Sequence, residues 1–180
     1  IIGESSFDSC PIESIFIPPH VTQICQNTFN CCVQLKKIDI SPDSELRTIE
    51  KEAFISSAVE SISIPSDIVD FQEGWCSGFD QLTNVNIIPK KEKNISLYEN
   101  KFIIGKSDTK NEQYDVLLYV PRDTLYMVIP QFIKIIGSYA FSNCLVEKIF
   151  IHSQITKICS GAFYSCDKLN HVKIPHDSEL

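Results

Sequence analysis

Residues 24–40 read ICQNTFNCCVQLKKIDI, and residues 158–174 read ICSGAFYSCDKLNHVKI. The two stretches agree at Ile24/Ile158, Cys25/Cys159, Phe29/Phe163, Cys32/Cys166, Leu35/Leu169, Ile38/Val172 and Ile40/Ile174, while most residues between these slots differ. Self-similarity on this scale marks a stacked repeat, not a closed globule, because each copy buries its apolar side only against the next.

The phrase extends outward in both directions. Phe7, Phe29, Phe54, Phe141 and Phe163 each follow an isoleucine by five positions. Three residues after each comes Cys10, Cys32, Ser57, Cys144 or Cys166. Then comes an alternating strand: Ile15/Ile17, Ile38/Ile40, Ile62/Ile64, Ile149/Ile151 and Val172/Ile174, with Pro18, Pro65 and Pro175 close behind. Alternation puts both branched side chains on one face of a short strand. Stacked copies then pair as a parallel sheet, and proline ends the pairing. The aromatic segment crosses the opposite side as a turn or short helix, its Phe filling the interior. A degenerate unit runs from Phe71 to Ile88, with Cys76 in the aromatic slot, Phe79 in the cysteine slot and Trp75 where other units carry a small residue. The Cys/Phe exchange roughly conserves volume, and this rung is expected to be distorted.

The order Leu-x-x-Ile-x-Ile-Pro-x-x-Val-x-x-Ile-x-x-x-Ala-Phe-x-x-Cys resembles the BspA-type (Treponema pallidum-like) leucine-rich repeat. Its best copies are Val59 to Pro65 with Ile68, and Ile136 to Cys144, and it covers about residues 2–88 and 127–180. The fold expected is an α/β-type, leucine-rich-repeat-like solenoid, strand-rich, with one short parallel β-strand per rung and turns or short helices opposite. The resemblance implies a cell-surface or secreted protein of the kind found in mucosal bacteria and parasitic protists. It also implies adhesion to a host or matrix protein; periodicity indicates only the solenoid.

The 180 residues form one array under this reading, 1–180, with an irregular insertion at about 90–126. Hydrophobic residues make up 43% and glycines number only 6, which excludes a low-complexity chain. A net charge of −7 disfavours nucleic-acid binding, which needs a basic stripe. The longest apolar run, Val116 to Val120, is far too short for a membrane span, and no signal peptide is present. The chain opens in mid-repeat at Ile1-Ile2, and Asp177 to Leu180 copies Asp43 to Leu46, which runs on into a further unit. A fragment of a longer array is therefore expected, and uncapped ends make end-to-end self-association a further expectation.

In the insertion, Asn100–Gly105 and Tyr114–Val120 have strand character around a polar turn at Lys106–Gln113. This suggests a β-hairpin or a pair of irregular rungs. Insertions in solenoids map to one face and often serve binding, although a tolerated excursion is the plainer explanation. Asn94-Ile-Ser96 is an N-glycosylation sequon in a stretch expected to be exposed.

The eight cysteines would suit a disulfide framework in an exported chain. Their register favours buried free thiols instead, because Cys10, Cys32, Cys144 and Cys166 share one interior slot, Cys25 and Cys159 share another, and Cys76 replaces a core Phe. Bridges from Cys10 to Cys32 and from Cys144 to Cys166 stay open, one rung apart. Cys31, beside the interior slot, is the expected exposed thiol. Cys159, Cys166, His171 and His176 have no zinc-module spacing. Gly105-Lys106-Ser107 lacks the upstream glycine and the following helix of a phosphate loop. No nucleophile elbow or Cys–His arrangement points to catalysis, so no enzyme activity, cofactor or metal is expected.

Between inward isoleucines, the intervening residue faces out. Phe16, Asp39, Ser63, Asn86, Phe150 and Lys173 are thus the candidate partner-binding residues, flanked by positions such as Lys37, Lys148, His152 and His171. Phe16 and Phe150 are the two aromatics among them, which suits anchoring of a protein partner but equally suits isolated surface rings. The function expected is a non-catalytic protein-binding solenoid. The alternative is an intracellular, cytoplasmic scaffold or a structural spacer.

Overall fold

A computed structural model describes residues 1–178 and 180. Glu179, within the Asp177–Leu180 copy of the repeat, lies outside the described residues. The chain divides into two compact units, Ile1–Ser96 and Leu97–Leu180.

In the first unit, the alternating isoleucine segments form the four-stranded parallel sheet expected of them. Strands β1 (Ser14–Ile17), β3 (Lys37–Ile40), β5 (Ser61–Pro65) and β7 (Asn84–Ile88) pair in that order. The register matches equivalent repeat slots: Ile15 faces Ile38, Ile38 faces Ile62 and Ile62 faces Val85. A second, narrower parallel ladder joins β2 (Gln23–Ile24), β4 (Thr48–Ile49) and β6 (Asp70–Phe71). The boundary between the units falls inside β8 (Ile95–Tyr98).

The third side of each coil carries the aromatic, and here the expectation of short helices, and with it the α/β label, is corrected. Among the described residues there is no helix; the fold is a parallel-strand β-solenoid of the leucine-rich-repeat kind. The reason lies in where the backbone donors go. Ser5, Phe7 and Ser9 donate across to Gln26, Thr28 and Asn30 of the next rung, while Ser6, Asp8 and Cys10 close turns onto Gly3, Ser5 and Phe7. The same division recurs at 27–32 and at 139–144. With alternate N–H groups spent between rungs, an i→i−4 ladder has no donors to run on. The turns also need left-handed residues two positions either side of the Phe: Ser5 and Ser9, Asn27 and Cys31, Glu52 and Ser56, Tyr139 and Asn143, Gly161 and Ser165. An α-helix cannot contain such residues at this spacing.

Inside the first unit the aromatics stack rung upon rung. Centroids lie 5.4 Å apart from Phe7 to Phe29, 5.5 Å from Phe29 to Phe54 and 5.2 Å from Phe54 to Phe79. Phe79, three residues late in sequence, thus completes the column in space. Trp75 meets it edge-on at 5.6 Å, with Phe71 tilted beneath the indole at 4.3 Å. The rung distorts to allow this. A Cβ added at Gly78 would sit 1.9 Å from the Phe54 carbonyl oxygen, so only glycine fits there.

The second unit continues the repeat with β11 (Ile135–Ile136), β12 (Lys148–Phe150), β13 (Lys157–Ile158) and β14 (His171–Lys173). Phe141 and Phe163 stack at 4.8 Å. Residues 102–119 contain a hairpin: β9 (Phe102–Gly105) pairs antiparallel with β10 (Val116–Tyr119), with a bulge between Leu117 and Tyr119. β10 then pairs parallel with β11, and β11 with β13, so one arm of the hairpin serves as a rung of the ladder. Phe102, Ile104, Leu117 and Val120 enter the same buried cluster as Ile136, Phe141 and Ile149.

Candidate functional site

The outward row of the first unit is laid down by strand register. Phe16 faces Asp39 across β1 and β3, and Ser63 faces Asn86 across β5 and β7. Phe16 is 60% exposed. Asp39 is half-buried and paired with Lys37 Nζ at 2.7 Å on its own strand. Asn86 Nδ2 donates to Ser63 Oγ at 3.5 Å. One aromatic therefore stands beside a self-neutralised ion pair and a row of small polar groups.

The second unit builds a different face. Phe150 is 48% exposed and faces Lys173 across β12 and β14, with Lys173 Nζ 5.7 Å from the ring centroid. Two residues that the sequence reading did not select extend this row. The Glu147 N–H donates to the Leu125 carbonyl as the Asn170 N–H donates to that of Glu147. That contact brings Tyr126, the next residue, to the Lys148 end of β12, although residues 125–130 form no strand of their own. Tyr126 is 71% exposed and Val128 86%. The signal was present, since Met127 and Ile129 restore the alternation and Tyr126 and Val128 are its outward partners.

Two expectations about exposure are corrected. His152 is 3% exposed, with Nε2 at 3.1 Å from the Pro130 carbonyl oxygen, so it belongs to a buried turn and not to the open face. Asn94 is only 5% exposed, and its Nδ2, the atom a glycan would occupy, donates to the Asp67 carbonyl at 3.2 Å. Arg47 Nη1 donates to the same carbonyl at 2.9 Å and pairs with Asp67 Oδ2 at 2.6 Å. Asn94 thus helps to lock the end of β5 against the start of β8.

All eight cysteines are free thiols, Cys31 exposed and Cys32, Cys76 and Cys144 buried. The interior slot has a specific task. Cys32 Sγ donates to the Phe7 carbonyl at 3.0 Å, and Cys166 Sγ to the Phe141 carbonyl at 2.9 Å, each reaching one rung back. Burial pushes both thiols above the ordinary 9.0, with the neighbouring Cys10 and Cys144 N–H groups partly opposing.

The hairpin adds two adjoining open clefts. One, of about 410 Å³, is lined by Ile104, Glu112, Gln113, Tyr114 and Phe132. The other, of about 320 Å³, is lined by Asn111, Glu112, Gln113, Asp115 and Lys134. Asp115 accepts from Ser107 N at 2.7 Å and Ser107 Oγ at 2.6 Å, which commits its carboxylate to shaping the turn. Among the described residues no group of three or more His, Cys, Asp or Glu side chains could hold a metal ion, and no helix is long and apolar enough to cross a membrane.

The family profile described as "BspA type Leucine rich repeat region" matches residues 1–103 and 124–179 in six copies. No curated protein sequence matches the chain. Three solved structures are similar to it. A leucine rich cell surface protein from Faecalibacterium prausnitzii is 22% identical, with a TM-score of 0.76, over 91% of this chain and 41% of its own. The pneumococcal vaccine antigen PcpA is 22% identical, with a TM-score of 0.77, over 97% and 42%. A leucine-rich repeat protein from Eubacterium ventriosum is 21% identical, with a TM-score of 0.71, over 98% and 52%. At this identity the likeness is one of fold, and the chain spans about two fifths to one half of the length of these proteins.

Proposed function

The chain belongs to the BspA-type leucine-rich-repeat family, and from that premise we propose that it is a non-catalytic protein-binding module of a cell-surface or secreted protein, acting in adhesion or recognition. The observation that carries the reading is the pair of aromatics, Phe16 and Phe150, standing 60% and 48% exposed on parallel sheets. A ring held on a rigid strand loses little entropy on docking, which suits it as an anchor. The words "cell surface protein" and "vaccine antigen" in the names of two similar structures support a surface location.

We propose further that the repeats at 1–180 form one binding array, with residues 90–126 as its variable part, and that Phe16, Asp39, Ser63, Asn86, Phe150 and Lys173 lie on the partner-facing side. The test is binding of Phe16→Ala and Phe150→Ala variants to immobilised host matrix proteins, with thermal melts to verify folding. Loss of at least ten-fold in affinity for either folded variant supports the module. Unchanged binding at both favours a structural spacer. A second reading, an intracellular scaffold, draws support from the eight free thiols, which a reducing compartment preserves. Thiol counting by mass on protein from its natural source separates the two.

A further inference from the structure

We propose that the outward sheet face of residues 97–180 docks an acidic segment of a partner protein carrying an apolar anchor; this rests on the protein-binding reading above. The face is made by the paired strands β12 and β14 and by the non-strand segment 126–128, whose neighbour Leu125 accepts from the Glu147 N–H. Its outward residues are Lys148 facing His171 and Phe150 facing Lys173, with Tyr126 and Val128 on the adjoining segment. All six are exposed. No carboxylate is among these six; Glu147, next to Lys148 in sequence, is half-buried. Lys173 leans over the Phe150 ring, so the cation and the aromatic present one combined surface.

Charge complementarity selects the occupant. Residues 1–96 hold seven basic and fourteen acidic side chains, whereas residues 97–180 hold nine of each. The whole net charge of −7 thus belongs to the first unit. The equivalent face of that unit is neutral: Ser14, Phe16, a Lys37–Asp39 pair, and serines and asparagines beyond. The same strand architecture therefore carries a locally cationic, apolar patch in one unit and not in the other. Carboxylates of a partner would meet Lys148 and Lys173, and an aromatic or aliphatic side chain would lie across Tyr126, Val128 and Phe150. A polypeptide segment can supply both the carboxylates and the apolar side chain, which a compact anion cannot.

The experiment is a selection of random twelve-residue peptides displayed on phage against the whole chain. Affinities of the selected peptides are then measured for K148E/K173E, for Y126A/F150A, and for the loop control K91E/K93E, each verified as folded by its melting curve. The expected result is enrichment of Asp and Glu together with an aromatic or aliphatic residue. Affinity should fall at least ten-fold in both patch variants, stay unchanged in the control and weaken with added salt. Peptides without acidic bias, or binding that survives both patch variants, overturns this assignment and leaves the protein-binding reading intact. No peptides at all, with heparin bound in a manner lost in K148E/K173E, overturns both in favour of an anionic polysaccharide. Concentration-dependent self-association in sedimentation that disappears in K148E/K173E makes the occupant a second copy, which also overturns the assignment.

Discussion

The Phe column is the largest single contribution at the scale of the residue. Phe54 is fully buried between Phe29 and Phe79. Phe54→Ala should lower stability by about 3–5 kcal/mol in a urea titration, since the gap is walled by two rings that cannot close it. The flanking left-handed residues work in the opposite direction. Ser56 is exposed with φ of 56°, so Ser56→Gly should raise stability by about 0.5–1 kcal/mol in the same titration. The thiols give a pH dependence with a definite sign. Folding raises the values of Cys32 and Cys166, so their contribution is complete below the ordinary value of 9.0. It is lost as pH climbs through the raised folded values. Urea midpoints measured from pH 8 to 11 should therefore fall on the alkaline side, and less steeply in a Cys32→Ser/Cys166→Ser variant. The inward place of these cysteines was legible in the sequence because four of them share one slot. That they donate to a carbonyl one rung back was not, because only the stacking distance brings the two together.

At the scale of the element, the degenerate rung and the β5–β8 junction are the informative places. Gly78→Ala should cost about 3 kcal/mol, the upper end for overpacking, because the added carbon meets the Phe54 backbone, which cannot yield as a side chain would. Gly3→Ala, with nothing near its Cβ, is the matched control and should leave the melting temperature unchanged. The sequence displayed the Cys76/Phe79 exchange plainly. It concealed that the Phe79 ring, from the slot three residues later, stacks on Phe54 and so joins the column. The sequon shows the same limit. Asn94 sits in a charged, loop-like string, yet its amide closes onto the Asp67 carbonyl. Asn94→Ala should cost about 1 kcal/mol, Arg47 keeping that carbonyl partly satisfied. Chain passed through a eukaryotic secretory pathway should show unmodified Asn94 by mass.

For the whole molecule, the absence of helix among the described residues has a direct spectroscopic consequence. The far-ultraviolet circular dichroism should lack the paired helical minima and show a strand-and-turn profile. Sequence pattern alone determined that the chain is a stacked repeat and which slots of most rungs point inward, although Val172 and Ile174, expected inward, are each 49% exposed. It could do so because a solenoid repeats one local environment, so spacing in sequence translates directly into place in the coil. Tertiary structure alone decided the path of the aromatic segment, because a helix and a double turn share the same apolar spacing and differ only in whether N–H groups bond within the rung or to the next. It likewise decided that Asn94 and His152 are buried, and that Phe150 lies beside Lys173. Those facts depend on which rungs lie side by side, and contacts between residues more than twenty positions apart are set by stacking, not by local sequence.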